Sequence, residues 1–221
     1  MADIFREVDE DLRRDRMQRL WERYGALIVG AAVLIVAATA GYVLWQRWQA
    51  SEQEQRTAVL LQAVAPLEVA EGATPDTAAA IAALDAAAGQ LDGAHATLAR
   101  LRQAGLLARE GNTADAVAIY DQVAGMGGAD PLFRDLAQLL AVLHQLDGGD
   151  PAQLQARLSS LMDGGNPWRF SARELSALLA VRAGDTARAA TLFRELSEDA
   201  DTPAGIRARA TELAAFYAVP R

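Results

Sequence analysis

Gly111-Asn-Thr-Ala-Asp-Ala-Val-Ala-Ile-Tyr120 returns 73 residues later as Gly184-Asp-Thr-Ala-Arg-Ala-Ala-Thr-Leu-Phe193. The two stretches share the frame G-[N/D]-T-A-x-A-x-x-[I/L]-[Y/F]. A glycine followed by Asn or Asp is typical of the place where one helix ends and the next begins. An internal repeat of this kind indicates stacked supersecondary units, each of which buries its apolar face against its neighbours.

Each copy of the frame carries a small residue and an aromatic residue one helical turn later. Ala116 precedes Tyr120, and Ala189 precedes Phe193, by four positions. The alanine lets the second helix of a pair approach the first, and the aromatic ring fills the gap beside it. This A-x3-[F/Y] spacing, with 73 residues close to two 34-residue periods plus loop residues, predicts divergent tetratricopeptide-like repeats. A helical bundle without repeats remains the alternative.

The rest of the chain beyond Gln46 also has helical periodicity and no sustained alternation typical of strands. Glycine, proline and Asp-Gly breakers divide it into short pieces joined by short connections. The sequence therefore predicts an all-α fold, with helices at about 47–71, 75–89, 94–110, 113–124, 131–146, 151–162, 168–183, 186–198 and 203–218.

An uncharged segment lies near the N-terminus. Residues 24–46 contain no Asp, Glu, Lys or Arg, and as a helix they would extend about 34 Å, enough for the hydrocarbon core of a bilayer. Aromatic residues of the kind enriched at membrane interfaces flank the segment, namely Trp21, Tyr24, Tyr42, Trp45 and Trp48. The sequence predicts a single transmembrane helix at 24–46.

The distribution of arginine sets the expected orientation. Six arginines precede the apolar segment within residues 1–23, and two, Arg47 and Arg56, follow closely. The positive-inside rule then places residues 1–23 in the cytoplasm and residues 47–221 on the other side of the membrane. A cleaved signal peptide is the alternative, because Ala38-Thr39-Ala40 has the form of a cleavage site.

Two further patterns concern the membrane segment and the head before it. Ile4, Val8 and Leu12 repeat every four residues, which fits either a solvated helix or an amphipathic helix that rests on the inner leaflet or docks on a partner. Two small-xxx-small pairs of the kind that allow close helix approach in lipid are Ala26 with Gly30 and Ala37 with Gly41. They are candidate intramembrane helix contacts.

Composition excludes most catalytic chemistry. The 221 residues contain no cysteine, two histidines (His95 and His144) and a net charge of −8. This excludes thiolate chemistry and Cys-ligated metals and disfavours nucleic-acid binding. No nucleotide-binding, hydrolase or calcium-loop motif is present. We therefore expect no catalytic, metal-binding or cofactor-binding residues and no small-molecule substrate.

Protein binding is the remaining class of function. Stacked helix pairs expose a concave face that is usually lined by the first helices. Arg109 and Arg182 each precede a repeat glycine by two residues, so they are candidates for a partner-binding groove that recognises carboxylate or peptide groups. Alternatively, each is a cation in the last turn of its helix, where it complements the helix dipole.

The N-terminal residues resemble those of a known family. Asp3-Ile-Phe-Arg-Glu-Val-Asp-Glu-Asp-Leu-Arg-Arg14 and Leu20-Trp-Glu-Arg-Tyr-Gly25, followed by the apolar helix, are similar to the N-terminus of YfgM-like proteins. The resemblance covers residues 1–50 and is one of architecture beyond them. It implies a single-pass bacterial inner-membrane protein with a periplasmic tetratricopeptide-like domain, ancillary to the SecYEG translocon.

By the same resemblance, the partners would be translocon subunits, periplasmic chaperones or secreted client proteins, and the role would be the transfer of secreted proteins to chaperones. A membrane-tethered scaffold or regulator in envelope assembly, cell division or stress signalling is the alternative function.

Overall fold

The structure, a computed structural model, describes residues 2–68 and 74–218; within these ranges the side chains of residues 2–22, 26, 28 and 32 are not described. Every regular element in these ranges is a helix, so the fold is all-α as predicted. The chain divides into two compact units, Met1–Gln55 and Arg56–Arg221.

Helix α1 extends from Ala2 to Val64. The separate helix predicted from residue 47 is absent from this described region, because no breaker occurs before Pro66, which lies in a short 3-10 turn at Ala65–Leu67. The stretch Arg23–Leu67 includes a window of mean hydropathy 2.4 whose side chains are not buried. By length and composition, α1 is able to cross a membrane.

The second unit consists of the end of α1 and eight further helices within its described residues. Their bounds agree with the prediction to within about two residues, except that the predicted helix at 151–162 is a short helix followed by a 3-10 turn at Ser159–Met162. They are α2 (Thr77–Gln90), α3 (Gly93–Arg109), α4 (Thr113–Ala124), α5 (Pro131–His144), α6 (Pro151–Leu158), α7 (Arg169–Arg182), α8 (Thr186–Glu198) and α9 (Ala204–Tyr217).

The helix ends explain this agreement. Asp130 and Asp150 precede Pro131 and Pro151, and each carboxylate accepts a hydrogen bond from the backbone N–H two residues later. A proline at the first helical position loses no hydrogen bond, and its φ angle already suits the helix. These local signals fix where α5 and α6 begin without help from the rest of the fold.

The repeat glycines end α3 and α7 in the same way. Gly111 and Gly184 have φ angles of +82° and +81°, in the left-handed region that favours glycine. Residues 112 and 185 donate their N–H groups to carbonyls five residues back, over 2.9 Å in both cases. Both helices therefore end in a Schellman motif.

The helices of the second unit form a layered solenoid. Each of α2 to α8 packs on the next helix, and α3, α5, α7 and α9 also contact one another in succession. We call these four the first-helix layer, because each is the first helix of a pair or, for α9, follows the last pair. Layering of this kind buries the repeat alanines and aromatic rings, and Ala116, Tyr120, Ala189 and Phe193 are all buried.

Candidate functional site

The 73-residue repeat extends to side-chain contacts that the sequence motif does not include. Tyr120 stacks on His144 with ring centroids 5.7 Å apart, and Phe193 stacks on Tyr217 at 6.2 Å. Residues 120 and 193 are equivalent in the repeat, and so are residues 144 and 217. Helix α9 is therefore the structural equivalent of α5, although no further helix follows α9 in the described part of the chain.

Successive units are also joined by contacts one period apart. The indole Nε1 of Trp168 donates to the carbonyl oxygen of Leu132 at 3.0 Å, and Arg157 pairs with Asp121; both pairs are 36 residues apart. Arg209 binds both carboxylate oxygens of Glu174, 35 residues away, at 2.8 and 2.9 Å. The working period is thus about 36 residues, and 73 residues are two units.

The two arginines proposed for a partner-binding groove have different surroundings. Nη1 of Arg182 donates to the carbonyl oxygen of Leu146 at 2.5 Å, so it satisfies a backbone acceptor just beyond the end of α5. Arg109 is exposed in the last turn of α3. Neither lines the groove described next.

An apolar groove of about 500 Å³ lies in the second unit, where the last turns of α1 meet α3 and α5. Seven of its eight lining residues are aliphatic or aromatic. The lining is Leu60, Leu61, Val64, Leu98, Leu101, Arg102, Phe133 and Leu136. Its volume is in the range of ligand-binding clefts, and two of its three walls belong to the first-helix layer.

The groove is open to solvent. Leu61 is 59% exposed and Leu98 is 39% exposed, which is unusual for large aliphatic side chains in such proximity. Arg102 is also exposed at this groove. No hydrogen bond or ion pair joins Arg102 to another residue in the described part of the chain.

A second depression of about 450 Å³ lies between α2, α3 and α4. Asp85 and Asp115 stand among its lining residues, and Gln103 donates to Asp85 at 3.2 Å. Gln103 is buried, as is its repeat equivalent Ser176, which donates to the side chain of Gln155 at 2.7 Å. These hydrogen bonds tie each first helix to the helix before it, which is a structural role.

Burial shifts the pKa of both partners in the Tyr120–His144 stack. Removal from water disfavours the charged form, so the pKa of Tyr120 is raised and that of His144 is lowered. The phenolic oxygen of Tyr120 reaches toward Gly105, where an added Cβ would lie 3.7 Å from it. This arrangement packs α3, α4 and α5 together.

The residues proposed for the membrane belong to the first unit. Tyr24, Tyr42, Trp45 and Trp48 are exposed, as are Gly30, Ala37 and Gly41. A Cβ added at Gly30 or Gly41 would extend into open space. The side chains of Trp21 and Ala26 lie outside the described residues. An exposed apolar helix of this kind is compatible with lipid contact.

The sequence patterns did not predict this groove. Its signal was present as Leu61 and Leu98, apolar residues on faces that a solvated helix would keep polar, but a single sequence does not show which helices meet there. Within the described residues, no group of three His, Asp or Glu side chains is placed to hold a metal ion.

Comparison with known proteins identifies a family to which the chain belongs. Residues 18–139, more than half of the chain, match the family model described as a tetratricopeptide repeat-like domain. The match includes α1 from residue 18 onward, α2, α3, α4 and most of α5, and therefore parts of all three helices that line the groove. No curated protein and no solved structure matches the chain significantly.

Proposed function

Because the chain belongs to the tetratricopeptide repeat-like domain family, we propose that it is a non-enzymatic, membrane-anchored protein that binds other proteins through the apolar groove of α1, α3 and α5. Domains of this type are protein-binding modules that use the concave face of stacked helices. The open, apolar lining of this groove is the observation that carries the proposal.

Energetics favour a polypeptide as the occupant. Leu61 and Leu98 expose aliphatic area to water, and its removal stabilises a complex by about 25 cal/mol per Å². The lining offers a single charged side chain and few polar groups, whereas small polar metabolites need several fixed hydrogen-bond partners. A segment of protein with several apolar side chains matches this chemistry better.

The anchoring part of the proposal is based on α1. Its uncharged segment would be a single-pass anchor with residues 1–23 in the cytoplasm and residues 47–221 in the periplasm of a bacterial inner membrane. The arginine distribution supports this orientation. Protease added to spheroplasts should then degrade residues 50–221, and full protection would contradict the orientation.

The finer role we propose is an ancillary factor of the Sec translocon that helps to transfer secreted proteins to periplasmic chaperones. The support is the similarity of residues 1–50 to YfgM-like proteins, together with a protein-binding domain on the same chain. Partners would be translocon subunits, periplasmic chaperones or emerging secreted proteins.

Site-specific photo-crosslinking tests the function. A photoreactive amino acid at Leu98 would report on the groove, and one at Gln122, which is exposed on α4 and outside the groove lining, would serve as the matched control. We expect adducts with translocon subunits or secreted proteins at residue 98 and not at residue 122. Equal adducts at both positions, or none at residue 98, would contradict binding through the groove.

A further inference from the structure

Arg102 is the one charged residue among the eight that line the groove. Its side chain is exposed and has no partner among the described residues. An arginine beside an apolar surface presents a planar, permanently charged donor group that matches a carboxylate in geometry. Such a group is well placed to pair with an acidic group on whatever fills the groove.

The charge of the surroundings makes Arg102 more distinctive. Residues 56–221 contain 14 arginines and 20 acidic residues, so this unit as a whole repels anions. Three other arginines of the same unit are engaged in ion pairs: Arg157 pairs with Asp121, Arg209 with Glu174, and Arg56 with Asp92. The groove therefore offers an unengaged cation on a predominantly acidic domain.

Comparison of equivalent positions shows that three of the groove residues, Leu98, Leu101 and Leu136, are not required by the repeat. Two units later, Ser171 stands at the position of Leu98. Glu174 and Arg209, which form an ion pair, stand at the positions of Leu101 and Leu136. The same scaffold thus tolerates polar side chains at these places.

The comparison is reversed for Arg102. Its equivalent, Leu175, is buried in a core of leucines that includes Leu139 and Leu158. At the positions of Leu98, Leu101 and Leu136 the chain has apolar side chains where the later unit has polar ones, and at Arg102 a cation where the later unit has a core leucine. Leu101 also packs against the core of α3, α4 and α5, so packing within the repeat explains the change least at Leu98, which is 39% exposed.

We propose that the groove recognises a partner segment that carries both apolar side chains and an acidic group, with the carboxylate paired to Arg102. This inference rests on the proposed function, since it names the chemistry of the partner at the same groove. A second copy of this chain fits less well, because two domains of the same negative charge repel each other.

The test uses the full chain in lipid nanodiscs and two fluorescent synthetic peptides. Both peptides are the same leucine-rich amphipathic sequence, one with a single glutamate beside the leucines and the other with glutamine there. We expect the glutamate peptide to bind about fivefold more tightly at low salt, which is the upper end for a partly exposed ion pair. Salt should reduce this preference.

Variants at position 102 assign the preference to one side chain. Arg102→Leu, which copies the equivalent Leu175, should remove the difference between the peptides while both still bind. Arg102→Glu should reverse the preference. If the glutamate peptide keeps its advantage in Arg102→Leu, or if the wild-type chain binds both peptides equally, carboxylate recognition by Arg102 is wrong.

A variant of the apolar wall separates this inference from the proposed function. Leu98→Ser, which copies Ser171, should weaken both peptides by a similar factor. If Leu98→Ser weakens binding but the two peptides bind alike, the groove binds protein and only the inference fails. If neither peptide binds, or Leu98→Ser has no effect on either, the groove is not the binding site and the proposed function fails as well.

Dimerisation of the wild-type chain that Leu98→Ser abolishes would identify a second copy as the occupant and contradict the inference.

Discussion

The ring of Tyr120 lies parallel to the imidazole of His144, with an angle of 3° between their planes and 5.7 Å between their centroids. Two units later, Phe193 and Tyr217 stand at the equivalent positions and stack in the same manner, with an angle of 15°. The second helix of one pair thus holds the C-terminal end of the next first helix through an aromatic contact. The same aromatic contact therefore occurs at equivalent positions in two units, with different side chains in each.

The Tyr120–His144 stack should make the stability of the fold depend on pH. Burial lowers the pKa of His144 below its ordinary value of 6.5, so the unfolded chain takes up the proton more readily than the folded one. The stabilisation is complete above pH 6.5 and declines as the pH falls through the folded pKa. The melting temperature should therefore fall between pH 7.5 and pH 5.5, by more than it falls for His144→Phe, which keeps the stacking. Equal declines would show that His144 does not contribute.

Removal of the Phe193 ring should strongly destabilise the fold. Phe193 is fully buried between α7, α8 and α9, and Phe193→Ala removes its contacts and leaves a cavity, which costs about 3–5 kcal/mol in the free energy of unfolding. Leu143→Ala is the control, because Leu143 is 43% exposed on α5. Denaturant unfolding should show a large shift for the first variant and less than about 1 kcal/mol for the second.

The repeat glycines should resist substitution for a backbone reason. Gly111→Ala and Gly184→Ala place a Cβ at φ near +80°, which costs about 1–2 kcal/mol for each. Gly105→Ala is the matched control with the opposite sign. Gly105 lies inside α3, the added Cβ meets the Tyr120 oxygen at an ordinary 3.7 Å, and the helix gains up to about 1 kcal/mol. Similar effects at all three glycines would contradict this explanation.

Much of the fold is encoded in short-range signals. The turns at Gly111 and Gly184, and the Asp-Pro starts of α5 and α6, need only a few neighbouring residues to form, so the helix bounds follow from the sequence. The continuity of α1 through residue 47 does not, because a membrane segment and a following helix have no local boundary signal when no glycine or proline separates them.

The site is harder to predict because it depends on which helices meet. Leu61, Leu98 and Phe133 come from three helices, and their proximity is set by the stacking of units about 36 residues apart. The sequence motif directs attention to conspicuous cations such as Arg182, whose partner is the backbone carbonyl of Leu146. Arg102 has no motif around it, and its departure from the repeat appears only when its position is compared with that of Leu175.

Arg182 should contribute to stability and not to binding. Arg182→Ala removes a hydrogen bond to the carbonyl of Leu146 on an exposed part of the chain, which should cost less than about 1 kcal/mol. Arg109→Ala should have no measurable effect on stability, since Arg109 is exposed and without a described partner. Neither substitution should change crosslinking from residue 98. Loss of those crosslinks in either variant would place the binding site at these arginines instead.

Charges introduced into the apolar segment test whether it is the anchor. Leu34 and Val36 are 71% and 68% exposed on α1, and an arginine at the centre of a transmembrane helix costs about 2.5–3.5 kcal/mol. The double variant Leu34→Arg/Val36→Arg should therefore pass from the membrane pellet to the soluble fraction after carbonate extraction. Ala50→Arg, beyond the uncharged segment, is the control and should stay in the pellet.

Intact mass spectrometry of the wild-type pellet completes the test, because an uncleaved anchor has the full 23.5 kDa. Cleavage after Ala40 would give a smaller protein and identify the segment as a signal peptide.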